Sequence, residues 1–138
     1  MSSEFFMDKS CFACGPQNKN GLRLSISEND GGVQATIDPP QWAQGYQNIV
    51  HGGIIATILD ELAVWAAFKK GYKSVTAGLS MRMKNAMKVD QTYIGDAKVV
   101  STKHRLIEAE SRILDGDQRL IASATVKLLR IKERKAVL

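Results

Sequence analysis

Two hydrophobic periodicities divide this chain into strand-like and helix-like segments. Apolar side chains alternate with polar ones in residues 79–83, and residues 107–113 show the same alternation. A period of two residues is typical of a β-strand with one buried face. Four more segments read as strands and complete a predicted set of six: residues 22–27, 33–37, 92–103 and 120–131.

The segment between these two groups of strands, residues 52–70, predicts a helix. Its apolar side chains cover nearly the whole circumference at about 100° per residue. A helix that is apolar all round is expected to be buried. Gly71 is placed to end the helix in a left-handed conformation, and Lys69 and Lys70 complement the negative C-terminal end of its dipole.

The order of the elements indicates an α+β fold. Two strands, joined as a hairpin by residues 29–32, precede the helix, and four strands follow it. This order predicts an antiparallel β-sheet wrapped around one long central helix. We expect a single domain over residues 1–138, with an N-terminal knuckle or extension at 1–21 and a C-terminal tail at 132–138. A sheet of this kind exposes its outer face and edges, so at least a homodimer is expected.

Composition excludes several classes of protein. With 44% hydrophobic and 24% charged residues, the chain is neither disordered nor collagen-like. Its longest apolar run, residues 62–68, is far shorter than the roughly 18 residues that span a bilayer, and no signal peptide is evident, so a cytoplasmic protein without a membrane partner is expected. The net charge is +5, and the basic cluster at residues 127–135 lacks interleaved aromatic residues, so no nucleic-acid partner is expected.

Cys11 and Cys14 have a spacing found in metal knuckles and in redox pairs. A structural zinc site normally has four ligands, yet no second such pair exists, and the only histidines, His51 and His104, are widely separated. A redox pair is expected at the start of a helix, whereas residues 15–18 read as a turn. We therefore expect a structural role for the cysteines and no metal.

The main anomaly of the predicted helix is the adjacent carboxylates Asp60 and Glu61. A carboxylate among apolar residues must be paired, protonated or placed at a cavity, because burying it unpaired is costly. At about 100° per residue the two side chains point in different directions. One of them is thus a candidate for a functional site, while the other meets a basic partner or solvent. A structural ion pair or a solvent-exposed end of the helix is the alternative.

The predicted helix begins with His51, Gly52 and Gly53. Two glycines weaken a helix, but they let another molecule approach bare backbone N–H groups at the positive end of the dipole. Such donors suit an oxyanion hole. A turn or packing role is the alternative for the glycines, and capping or orientation is the alternative to acid–base chemistry for His51.

Residues 51–61 resemble the HGG-x6-D signature of the hotdog-fold acyl-CoA thioesterases, of the PaaI-like and thioesterase-superfamily kind. Residues 75–83 are similar to the first strand after the helix in that family. The sequence Cys11-x-x-Cys14-Gly15, followed by residues 20–22, resembles the start of many members. The resemblance implies a hotdog fold and hydrolysis of an acyl- or aryl-CoA thioester.

The resemblance also implies roles for individual residues. Asp60 matches the essential carboxylate, which acts as general base on water or as nucleophile. Gly52 matches the backbone N–H that polarises the thioester carbonyl, Thr76 the hydroxyl that positions the water or the carboxylate, and His51 the histidine that shapes the helix start. The family builds this site between subunits, which implies a homodimer and, by further pairing, a dimer of dimers.

Several further residues are expected to contact the substrate. The expected substrate-binding set comprises Gly53, Glu61, Asn48 and Gly78. Surface cations are candidates for the coenzyme A phosphates: Lys84, Lys88, Lys103 and Arg105. Four large side chains are expected to set the pocket width: Trp42, Tyr46, Trp65 and Met87. No metal or redox cofactor is required, since coenzyme A is part of the substrate. The alternatives are a non-catalytic acyl-CoA binder and a hotdog dehydratase, whose usual motifs are missing.

Overall fold

The computed structural model describes residues 8–131, so residues 1–7 of the predicted N-terminal extension and the predicted tail at 132–138 lie outside the described residues. The described part contains six strands, one short 3-10 helix at Gln41–Ala43 and one α-helix. In chain order the strands and the α-helix are β1 (Ile26–Asn29), β2 (Gly32–Ile37), α1 (Gly52–Lys69), β3 (Ser74–Met83), β4 (Tyr93–Lys103), β5 (Leu106–Leu114) and β6 (Leu120–Arg130).

The strands form one antiparallel sheet in the order β1-β2-β4-β5-β6-β3. The α1 helix packs across one face of this sheet and contacts every strand. The predicted antiparallel sheet around one central helix is therefore confirmed. Strands β1 and β3 form the two edges of the sheet, and no helix in residues 8–131 is long and apolar enough to cross a membrane.

The first strand begins later than predicted because the preceding residues pair with the N-terminal loop. The N–H of Leu22 donates to the Phe12 carbonyl at 2.7 Å, and the N–H of Leu24 donates to the Ala13 carbonyl at 2.9 Å. Their backbone groups are thus already satisfied. The predicted turn between β1 and β2 is confirmed, with Gly31 at a φ of 88°.

The α1 helix is buried on one face only, so the prediction of burial all round is wrong for the single chain. Seven of its apolar residues are fully buried against the sheet: Ile55, Ile58, Leu59, Leu62, Ala63, Ala66 and Ala67. Ile54, Val64 and Trp65 remain half-buried on the other side. Gly71, with a φ of 93°, follows the helix end as predicted.

Candidate functional site

Asp60 and Thr76 form the centre of the candidate site. Asp60 lies on the half-buried side of α1, and Thr76 lies on the edge strand β3. The Thr76 hydroxyl donates a hydrogen bond of 2.5 Å to Asp60 Oδ1. A hydroxyl–carboxylate bond of this length is charge-assisted and holds the carboxylate in one orientation. No side chain or backbone group in residues 8–131 forms a hydrogen bond with the second carboxylate oxygen.

A β-bulge in β3 directs Thr76 towards the helix. Thr76 pairs with Leu128 and Gly78 pairs with Lys127, so Ala77 is the extra residue. Leu128 is buried beneath the helix, whereas Lys127 is exposed on the opposite face of the sheet. Residues paired across a sheet share a face. Thr76 therefore faces Asp60, while Gly78, expected at the substrate, faces away from the helix.

Partial burial of Asp60 shifts the pKa of its carboxyl group. Burial raises the pKa of the Asp60 carboxyl above its ordinary value of 3.8, and the hydrogen bond from Thr76 opposes this rise by stabilising the anion. A carboxylate with a raised pKa is a stronger base than one in water. Asp60 is thus a partly desolvated carboxylate whose pKa lies above the ordinary value.

The start of α1 presents one backbone donor. His51 caps the helix by accepting the Gly53 N–H on Nδ1 at 2.9 Å, so that N–H is already committed. The Gly52 N–H has no hydrogen-bond partner among residues 8–131. A β-carbon on Gly52 would meet only the Met83 side chain, at 3.6 Å, so a ligand can approach the backbone here. His51 therefore acts as a cap, and Gly52 supplies the free donor.

Asn48 lies in the loop that leads into α1. Its φ of 64° is left-handed, its N–H donates to the Gln44 side chain at 3.0 Å, and its carbonyl accepts from Val89 at 3.1 Å. Lys88 pairs with Ile49 in the same loop, so this cation lies close to the helix start. Asn48 thus lies four residues before Gly52, with its backbone held by Gln44 and Val89.

Glu61 lies away from Asp60 and contacts the N-terminal loop instead. One of its oxygens accepts the Trp65 indole N–H at 3.1 Å. Burial, together with a hydrogen bond to the Glu61 carboxylate, raises the pKa of the Cys14 thiol to about 12. A thiol held in its protonated form is a poor nucleophile, which disfavours redox catalysis by Cys11 and Cys14. The structure therefore separates the two adjacent carboxylates, as the helical spacing predicts, but Glu61 meets an indole N–H and a thiol instead of the expected basic partner or solvent.

The side chains predicted to set the pocket width are divided by the fold. Trp42 and Tyr46 are exposed, with 49% and 87% of their surface accessible, in the segment that precedes the helix. Met87 is fully buried and Trp65 is engaged with Glu61, so neither lines an open pocket in the single chain. Of these four side chains, only Trp42 and Tyr46 are thus exposed to a ligand.

The predicted phosphate-binding cations are also divided. Lys84 and Lys88 are exposed after β3, near the helix start. Lys103 and Arg105 flank the β4–β5 turn, and the Arg105 guanidinium donates to the Arg130 carbonyl at 3.3 Å. Since Arg130 pairs with Ser74 at the beginning of β3, this second group lies at the opposite end of that strand.

A polar cavity of about 570 Å³ lies on the face of the sheet away from α1. Its lining includes Ser80, Arg82, Lys98 and Glu110, and an ion pair of 3.0 Å between Arg112 and Asp96 crosses it. Charged and hydroxylic walls do not suit an acyl chain. The cavity is therefore distinct from the Asp60–Thr76 site on the helix side.

Comparison with known proteins identifies the family. The sequence model of the thioesterase superfamily matches residues 47–122, more than half of the chain. No curated protein matches the chain in sequence. The chain is similar to the crystal structure of a thioesterase superfamily protein, with 26% identity and a TM-score of 0.79. That match covers 83% of this chain and 60% of the other, so the chain spans less than two thirds of that protein.

Two further structures share the fold. A hypothetical thioesterase from Streptococcus pneumoniae, crystallised with coenzyme A, has 21% identity and a TM-score of 0.75 over 81% of this chain and 91% of that one. It has also been solved as an Asp-to-Ala and as a Thr-to-Ala variant. The Escherichia coli PaaI protein, from the phenylacetic acid degradation operon, has 18% identity and a TM-score of 0.75 over 81% and 82% of the two chains. These neighbours and the architecture confirm the hotdog fold, and the chain belongs to the thioesterase superfamily.

Proposed function

We propose that the protein hydrolyses the thioester of an acyl- or aryl-coenzyme A to the free acid and coenzyme A. The observation that carries this proposal is the half-buried Asp60 carboxylate, held by Thr76 at a surface that also offers a free helix N-terminal donor. In the Streptococcus pneumoniae protein, the replaced Asp and Thr are 16 residues apart. Asp60 and Thr76 have the same separation of 16 residues.

Asp60 acts as a general base in this proposal. The Thr76 hydroxyl occupies Oδ1, so Oδ2 accepts a proton from a water molecule. The water oxygen bonds to the thioester carbon, the carbon–sulfur bond breaks, and the proton passes from Asp60 to the departing thiolate. The raised pKa favours this role because it brings the base closer to neutral pH. Direct attack by Asp60, through an acyl anhydride, is the other chemistry open to a carboxylate.

The Gly52 N–H is the proposed oxyanion donor. Negative charge develops on the carbonyl oxygen as water adds, and a backbone donor at the positive end of a helix dipole stabilises it. Gly52 is suited to this role because its N–H has no partner in residues 8–131, whereas the Gly53 N–H is held by His51. A β-carbon on Gly53 would lie only 3.2 Å from His51 Nδ1, so this glycine lets the capping imidazole approach the helix start.

Asp60 and Gly52 of the same chain are too far apart to act on one carbonyl. Eight residues of α-helix separate them by about 12 Å along the axis. A reacting thioester needs both groups within roughly 3 Å. The two groups must therefore come from different copies of the chain.

The edge strand β3 supplies the geometry for such a dimer. Its Thr76 end lies against Asp60, and its Met83 end lies against Gly52. If two β3 strands pair antiparallel about a twofold axis near Leu79, Thr76 of one copy lies opposite Met83 of the other. This pairing brings Asp60 of one copy next to Gly52 of the second. It also buries Leu79 and Met83, which are 37% and 49% exposed.

The coenzyme A moiety is proposed to bind beside the helix start. Lys84 and Lys88 lie on this side of the molecule, together with the exposed Trp42 and Tyr46. Cations suit the phosphates and aromatic rings suit the adenine base. Lys103 and Arg105 lie at the other end of β3, where the second copy of an antiparallel dimer ends its own β3 strand.

The proposal is tested by thiol release from short, long and aromatic acyl-CoAs. Wild type should turn over at least one of them, and Asp60→Asn should be slower by about 10² to 10⁴. Asp38→Asn is the matched control, because Asp38 accepts a comparable hydrogen bond of 2.6 Å from Thr92 elsewhere on the surface. Equal rates for wild type and Asp60→Asn would refute the role of Asp60. Binding without turnover by both would favour the non-catalytic acyl-CoA binder.

A further inference from the structure

Cys11, Cys14 and Glu61 bring three potential metal ligands together at the N-terminal side of α1. One atom from each residue, two Sγ atoms and one carboxylate oxygen, lies within 4.8 Å of the other two. All three side chains are half-buried, so they remain accessible to a small ion. Folding thus brings Glu61, which lies 47 residues after Cys14 in the sequence, next to the two cysteines.

The loop that carries the two cysteines is held in shape by its backbone. The Gly15 N–H donates to the Cys11 carbonyl at 2.8 Å, and the Cys11 N–H donates to the Asp8 carbonyl at 3.1 Å. A β-carbon on Gly15 would overlap the Cys11 backbone, and one on Gly21 would lie 2.6 Å from the Phe12 carbonyl oxygen. The loop is therefore closely packed on itself, and the two sulfur atoms are preorganised.

The third donor is oriented from the helix. The Trp65 indole N–H, one helical turn after Glu61, holds one carboxylate oxygen at 3.1 Å. A carboxylate has about four acceptor positions, so this bond leaves room for a further ligand. Protein carboxylates that bind metals are commonly held by such outer hydrogen bonds.

We infer that Cys11, Cys14 and Glu61 bind one Zn²⁺-type divalent cation, with water as the fourth ligand. Two thiolates and a carboxylate are a donor set that zinc accepts. Zn–S bonds of about 2.3 Å and Zn–O bonds of about 2.0 Å place the ligands of a tetrahedral site roughly 3.5 to 3.8 Å apart. The observed cluster requires only a small side-chain movement to reach these separations. The two thiol protons are released to solvent on binding.

Such an ion would join the N-terminal loop to the helix that carries the candidate base. Glu61 is adjacent to Asp60 in sequence but points to the other side of α1, so the ion does not contact the Asp60–Thr76 pair. The inferred role is to fasten residues 11–15 to α1 and thereby stabilise the fold. This inference is independent of the proposed hydrolase activity.

The test is titration of the reduced full-length protein with Co²⁺, followed by displacement with Zn²⁺. We expect one ion per chain, thiolate-to-cobalt charge-transfer bands and a tetrahedral visible spectrum, all lost when Zn²⁺ is added. Zn²⁺ should also raise the melting temperature of wild type. Cys14→Ser should lose the charge-transfer bands, and Glu61→Gln should weaken binding by at least tenfold. Asp60→Asn is the matched control and should bind as wild type does.

Two outcomes would overturn the inference. The first is failure of the reduced, folded wild type to bind Co²⁺ or Zn²⁺. The second is unchanged affinity in Glu61→Gln, which would exclude the helix carboxylate as a ligand. The wild-type titration does not depend on any variant, so it can refute the proposal even if the Cys14→Ser protein fails to fold.

Discussion

Gly52→Pro removes the proposed oxyanion donor and leaves the helix intact. Gly52 is the first residue of α1, and proline is favoured at that position because its missing N–H has no helical partner there. The preceding residue, His51, has a φ of −61° and a ψ of 138°, which is the extended conformation that proline requires before it. The nearest atom to a β-carbon at Gly52 is Met83 Sδ at 3.6 Å, so the ring has space.

The expected effect is a large loss of rate at nearly constant stability. Deleting one oxyanion donor costs about 10² to 10³ in kcat, equivalent to roughly 2.7–4 kcal/mol of transition-state stabilisation. The assay is thiol release under saturating acyl-CoA, with a thermal melt of the same preparation. Gly52→Ala is the control, because it keeps the N–H and adds only a methyl group. Activity of Gly52→Pro within a few-fold of wild type, in a protein that melts normally, would refute the assignment.

Mixing two inactive variants tests whether the site is shared between subunits. In a mixed dimer of Asp60→Asn and Gly52→Pro, one site is built from both substituted residues. The other site combines the intact Asp60 of one copy with the intact Gly52 of the other. Random exchange makes half of the dimers mixed, so about one quarter of wild-type activity should return. A site formed within one chain would show no recovery, which would contradict the 12 Å argument from helix length.

Three further changes have defined outcomes. Thr76→Val removes the hydrogen bond that lowers the pKa of Asp60, so the acid limb of the kcat/KM profile should move to higher pH and the rate should fall by about tenfold. Thr76→Ser keeps the hydroxyl and should stay near wild type. An acid limb that does not shift in Thr76→Val would contradict this prediction. Burial raises the folded-state pKa of Asp60, so the protein loses stability as pH rises through that pKa and Asp60 ionises. Asp60→Asn should therefore be at least as stable as wild type in urea at pH 7, and the difference should vanish below pH 3.8. An Asp60→Asn protein less stable than wild type would count against this reasoning. Leu79→Lys should be monomeric by light scattering and inactive in the thiol-release assay. Leu129, which is 40% exposed on the outer face, provides the control, since Leu129→Lys should remain dimeric.

The period-two and helical patterns predict secondary structure well here because each strand or helix turns one regular set of neighbouring side chains towards the core. Alternation along residues 107–113 corresponds to β5, and the apolar run after Gly52 corresponds to α1. The same patterns mislead where a segment finds an unexpected partner. Leu22 and Leu24 look like strand residues, but their N–H groups bond to the N-terminal loop.

The candidate site shows the same division between local and long-range information. The spacing from His51 to Asp60 is local, so the helix start and the carboxylate are visible in the sequence. That Thr76 reaches Asp60 depends on a β-bulge at Ala77, which reverses the faces of the residues on either side of it. Sequence alternation alone gives no sign of that bulge.

Periodicity and short motifs are properties of neighbouring residues, so the chain's pattern is enough to predict the class of fold, the central helix and the candidate residues at and after the helix start. The partner that each of the two adjacent carboxylates meets depends instead on the three-dimensional packing. Helical geometry turns Asp60 to the open side beside Thr76 and turns Glu61 to the two cysteines. Contacts between residues so far apart in the chain depend on sheet order and packing, which one-dimensional patterns do not encode.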